Sequence, residues 1–147
     1  MHFNRRKTKV LLCALQVLLA VLIFTPAGGQ GGADKVIDIC RLYESAGYGS
    51  DAKVYLFLAL SIPLAVVLSL FLMKERRNFG LGACLGALLT LVHTVFYSAV
   101  KISSSIPLSA SIKARFFFLI LLGLFTMGAE IYGYMFIGVQ SGQKGQK

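Results

Sequence analysis

Glu130 is the one acid inside a long apolar segment of this chain. A carboxyl there is the kind of group that moves a proton or holds a cation within a membrane. Gly123, Thr126 and Gly133 lie at steps of three and four from it, on one helical face. A second stripe runs through Gly82, Gly86, Thr90, His93, Thr94, Tyr97 and Lys101, at helical spacing between Arg76-Arg77 and Lys101. Hydrocarbon offers such faces no hydrogen-bond partners, so both should meet other helices. The candidate polar site is therefore Glu130, His93, Tyr97, Thr90 and Thr126, with Gly82, Gly86, Gly123 and Gly133 as the packing positions. Leu85, Leu88, Leu89, Leu91, Val92, Val95 and Phe96 are left as lipid-compatible.

Two chemistries fit these residues. One is a proton or cation relay, or a small-substrate site. The other is structural: His93 and Glu130 hydrogen-bond neighbours and fix helix packing, each bond contributing about 0.6 kcal/mol on average yet specifying register. Counted from the ends of their own apolar segments, His93 and Glu130 differ in depth by roughly 7 Å. A direct bond would need offset helices; a water, Tyr97, Thr90 or Thr126 would otherwise bridge them.

Other chemistries find too few groups. His93 and Glu130 supply two metal ligands where zinc takes three or four. Cys84 lies about 13 Å along a helix from His93, too far for a nucleophile and its base. No glycine-rich phosphate loop occurs. Cys13, Cys40 and Cys84 form no C-x-x-C pair, and a disulfide framework is not expected. The residues thus point to no metal, no cofactor and no enzymatic reaction.

The elements that hold the two stripes must cross a membrane. Hydrophobic residues make up 56% of the chain and charged residues 14%, against about 25% charge in a soluble domain. The apolar residues fall in blocks predicting spans at about 10–26, 53–73, 80–101 and 115–139. The first block is short and also suits a signal-peptide core, with Thr25-Pro26-Ala27 as a passable cleavage site. A retained first span is expected, because later spans can pack on it. Between the first two spans, a glycine-rich stretch at 26–32 precedes a short amphipathic helix. Asp34 is its expected cap, Val36, Ile39, Cys40 and Tyr43 its shared face, and Gly47 lies beyond its end. Ser61, Ala65 and Ser69 give the second span a small-residue face, and Pro63 should bend it. Residues 74–78 read as a tight charged turn that makes the second and third spans antiparallel neighbours. Serines and Pro107 mark the connection at 102–112. Residues 140–147 form a polar tail expected to be disordered.

The net charge of +9 does not imply nucleic acid, because the basic residues flank apolar blocks as membrane anchors do. With a basic cytoplasmic segment at 1–9, the inside would hold Arg5, Arg6, Lys7, Lys9, Lys74, Arg76, Arg77, Lys144 and Lys147. The outside would hold Lys35, Arg41, Lys53, Lys101, Lys113 and Arg115. That modest inward bias predicts both termini in the cytoplasm, with the cell membrane as the location. The expectation is an all-α integral membrane four-helix bundle with a short extramembrane helix between its first and second spans. Its expected role is that of a non-enzymatic subunit, scaffold or assembly partner, meeting the lipid bilayer and another membrane protein or itself. The alternative is a small oligomeric transporter or ion-coupled permease using Glu130. A transporter should show a water-accessible cavity reaching Glu130, a scaffold a dry core and an exposed small-residue groove. Helix count alone is common to unrelated proteins and decides neither.

Overall fold

The described residues of the computed structural model form helices joined by short connections, without strands. Residues 5–28, 34–72, 75–103, 106 and 108–143 are described, with no side-chain account at 5–6, 75–76 and 137–143. The elements are α1 (Arg5–Phe24), α2 (Val36–Tyr43), α3 (Gly49–Leu72), α4 (Glu75–Ile102) and α5 (Ala110–Gln143). Four stretches are long and apolar enough to cross a membrane: one on α1, one running through α2 and α3, one on α4 and one on α5. The neighbours around the bundle are α1, α3, α4 and α5 in a ring, and the α4–α5 seam is the most extensive. This is the four-helix bundle that the apolar blocks predict.

A single spacing rule explains which residues reach the interior. The buried positions of one recurring seam are 12, 16, 19 and 23 on α1, and 52, 55, 59, 62, 66 and 69 on α3, with Pro63 and Leu70 also buried beside it. They continue as 79, 82, 86, 89, 93, 96 and 100 on α4, with Asn78 buried beside them, and 112, 116, 119, 123, 126, 130 and 133 on α5. Steps of three and four alternate throughout, the repeat that keeps one seam facing its neighbours along nearly antiparallel helices. Outward positions carry large apolar groups, among them Val17 on α1, Phe57 on α3, Leu91 on α4 and Phe117 on α5. This pattern corrects the second sequence stripe. Successive steps of four walk off the seam, so Thr94 and Lys101 are exposed while Leu89 and Phe96 are buried.

Helix ends follow local chemistry. Asp34 is not the cap of α2; Lys35 holds that place, and its backbone N–H donates to the Asp38 carboxylate at 3.2 Å. Val36, Ile39, Cys40 and Tyr43 are buried together, as their spacing predicts, so Cys40 belongs to the core rather than to a polar loop. A wide turn at Glu44–Tyr48 then redirects the chain, with Gly47 at φ +99° where a side chain would be strained. Ser109 accepts from the Ile112 N–H at 3.2 Å and starts α5 well before the apolar run begins. The expected turn at 74–78 is shorter than its charges suggest, because Glu75 already opens α4. At the other end α5 continues to Gln143, into the segment expected to be disordered. The glycine-rich stretch at 29–33, Lys74, Pro107 and residues 1–4 and 144–147 lie outside the described residues.

At the end of the bundle that carries α2, Arg115 of α5 reaches the last turn of α1. Its guanidinium donates to the Leu22 carbonyl at 3.3 Å, the Thr25 hydroxyl at 2.8 Å and the Pro26 carbonyl. A cation suits a helix C-terminus, whose final carbonyls lack partners within the helix.

Candidate functional site

The register of the α4–α5 seam decides what the candidate residues can do. Gly133 lies against Phe79, Gly82 against Glu130, Gly86 against the Met127 backbone and Gly123 against Thr90. Further along, the Tyr97 and Phe116 rings meet with centroids 5.5 Å apart. Each step along α4 is matched, to within one residue, by a step back along α5. All four packing glycines singled out by spacing thus lie in this seam. At Gly86 a β-carbon would stand 3.0 Å from the Met127 nitrogen, so the two backbones approach as closely as glycine allows.

Glu130 is fully buried, and its carboxyl lies over the space that the missing side chain of Gly82 leaves open. Neither carboxyl oxygen has a donor among the described residues. Thr126, one turn away on α5, is also fully buried. Its hydroxyl donates to the Leu122 carbonyl at 2.9 Å and accepts from the Gln16 amide of α1 at 3.2 Å. Because the Thr126 proton is committed to Leu122, Gln16 must present its NH₂ there. That orientation turns Gln16 Oε1 away, and it has no partner among the described residues. Asn78, one turn from Gly82, is buried with neither side-chain atom paired among the described residues. Leu12, Val66, Leu70 and Phe79 form a buried apolar cluster at this end, with Cys13, Leu85 and Ala129 packed against it. Three helices therefore place amide and carboxyl groups in one apolar region.

His93 lies elsewhere. It is eleven residues along α4 from Gly82, the residue facing Glu130, hence about 16 Å away along the axis. The offset of roughly 7 Å expected from segment ends is too small. Close glycine contacts, not segment ends, set the register. His93 Nδ1 instead meets the Tyr55 hydroxyl of α3 at 3.0 Å, with donor and acceptor fixed by the imidazole tautomer. Thr90 returns its proton to the Gly86 carbonyl at 2.9 Å and packs on Gly123. Tyr97 is half-buried against Phe116. The five candidate residues are thus distributed along the seam. Thr126 and Glu130 stay together, while His93, Thr90 and Tyr97 each have a different neighbour.

Gln16, Asn78 and Tyr55 are the interior polar residues that spacing arguments missed. Gln16 has a sequence signal, as the single amide inside the apolar run of α1. Asn78 is masked by the charges beside it. Tyr55 is masked by its position near a span end, where an interfacial ring needs no special reading. Among the described residues no three potential metal-ligating side chains lie together. No family model, no curated protein and no solved structure matches this chain.

Proposed function

We propose that this is a multi-pass integral membrane protein of the cell membrane, with both termini in the cytoplasm. Its role is non-enzymatic: a subunit or assembly partner that packs against another membrane protein or a further copy of itself. The observation that carries this reading is the position of Glu130, sealed over Gly82 in the tightest helix seam. The surface grooves between α3 and α4 and between α1 and α5 are lined by other residues. A carboxyl enclosed in this way specifies packing more readily than it passes ions. Outward-facing Cys84, Ala87 and Ser98 on α4 and Gly128 on α5 leave room for a partner helix to come close. Retention of α1 is supported by Gln16 and by the Arg115 contacts, since cleavage after α1 would strip partners from Thr126 and Arg115. The positive-inside bias supports the orientation.

The alternative, a small oligomeric transporter or ion-coupled permease, draws on the unpaired carboxyl oxygens of Glu130 beside Gln16. Purification in mild detergent, followed by proteoliposome flux measurements, separates the two. Glu130→Gln should fold, bring down the same membrane partner as the wild type, and change no flux. A proton-gradient-driven flux that Glu130→Gln abolishes would overturn the proposal in favour of transport.

A further inference from the structure

A groove of about 390 Å³ runs down the outer surface between α3 and α4. That volume lies within the range of about 300–1,000 Å³ typical of small-molecule sites. Its two ends differ in chemistry. At the end that carries α2 stand Asp51, in the first turn of α3, and Tyr43 of α2. Towards the middle of the bundle the lining becomes wholly apolar, with Leu58 of α3 and Leu91 and Val95 of α4. Asp51 to Leu58 is seven residues of helix, about 10 Å along the bundle. A carboxylate at the rim and an apolar channel below it match an amphiphile lying along the bilayer normal.

The charge at the rim is uncompensated by its neighbours. Asp38 stands 3.9 Å from Arg41, and Glu44 pairs with Lys53 at 3.1 Å. Asp51 is exposed, accepts from the Ser50 hydroxyl at 3.3 Å, and makes no ion pair among the described residues. Beside it the buried Tyr43 ring, stacked on Tyr48 with centroids 4.6 Å apart, walls the rim, and an ammonium group is attracted to the carboxylate. An anionic headgroup would meet repulsion at the same place.

We propose that this groove holds an acyl chain of an amine-headed phospholipid, with the ammonium group against Asp51 and the chain along Leu58, Leu91 and Val95. The inference rests on the membrane reading above and adds a lipid class to it. Insertion itself is tested separately, by whether the chain needs detergent for extraction.

The test uses the full chain in nanodiscs of equal parts phosphatidylethanolamine and phosphatidylglycerol with identical acyl chains, released for native mass spectrometry. The wild type should retain the ethanolamine lipid about fivefold over the glycerol lipid, the upper end of an exposed ion pair. Asp51→Asn should abolish that preference, and Val95→Trp should reduce retention of both lipids by filling the channel. Both positions are exposed, so neither substitution disturbs the core. Equal retention of the two lipids, a preference for the glycerol lipid, or a preference that survives Asp51→Asn would overturn the proposal. So would a lipid-free dimer dispersed by Val95→Trp, which would give the groove to a second copy of the chain.

Discussion

The two ends of the bundle interior solve the burial of polar groups in opposite ways. Toward α2, Tyr55, Phe96, Tyr43, Phe116 and His93 form one aromatic cluster. The Tyr55 and Phe96 rings stack with centroids 3.8 Å apart, and Tyr43 meets Phe96 edge-on. The polar atoms that face one another there, the Tyr55 hydroxyl and His93 Nδ1, are bonded. Toward the chain termini, Gln16, Asn78 and Glu130 are equally buried, yet each has a side-chain atom without a partner among the described residues. Shape and hydrogen bonding agree in the first region. In the second, close glycine packing encloses polar groups that it does not satisfy. An enclosed polar group without a partner works against stability, so this end draws its stability from backbone approach.

The largest test of that contrast is Phe96→Ala. Truncating a buried aromatic ring costs about 3–5 kcal/mol in a water-soluble core. Lipid weakens the transfer part of that cost, so about 3 kcal/mol is expected, read as a fall in thermal stability in detergent. A loss below about 1 kcal/mol would break the comparison, because the stacked cluster would then contribute little. Gly86→Val comes next and probes the other end. A side chain there meets Met127 backbone, which cannot swing aside, so about 1–3 kcal/mol should be lost. Gly128→Val is its control: a β-carbon at this exposed position meets nothing within 4 Å. Its effect should stay within about 0.5 kcal/mol by the same thermal measurement. Equal losses from the two glycine substitutions would remove the special role of the seam.

Sequence pattern carried the architecture far because lipid imposes a simple rule: apolar length makes a span, and polar faces turn inward. The α2 face at Val36, Ile39, Cys40 and Tyr43 was legible for the same reason. So were the inward positions of His93 and Glu130, since a three-four spacing shows which side of a helix is special. Pairing between helices was not legible. Nothing local says that Gly82, and not His93, faces Glu130. That depends on how far α4 and α5 slide before their backbones touch, and α4 begins within a stretch whose charges resemble a turn. In the sequence Arg115 stands out only as one of the outside charges, because its hold on the end of α1 depends on contacts about ninety residues apart.

The finest discrimination comes from two conservative removals whose effects should differ in sign or nearly so. Tyr55→Phe keeps the stacked ring and deletes only the hydroxyl, leaving His93 Nδ1 without its partner. Membrane hydrogen bonds average about 0.6 kcal/mol, and an orphaned imidazole nitrogen adds to that, so about 1 kcal/mol should be lost. Gln16→Leu removes an amide whose oxygen is already unpaired, while Thr126 keeps its bond to Leu122. The lost Gln16–Thr126 bond is offset by releasing the unpaired oxygen, so stability should change by less than about 0.5 kcal/mol or rise. Thermal unfolding of both variants in one detergent is sufficient. If Gln16→Leu proves the more damaging, the amide has a partner that the packing of α1, α4 and α5 conceals. The unpaired oxygens of Glu130, on the same face as Thr126, would then be the first place to seek it.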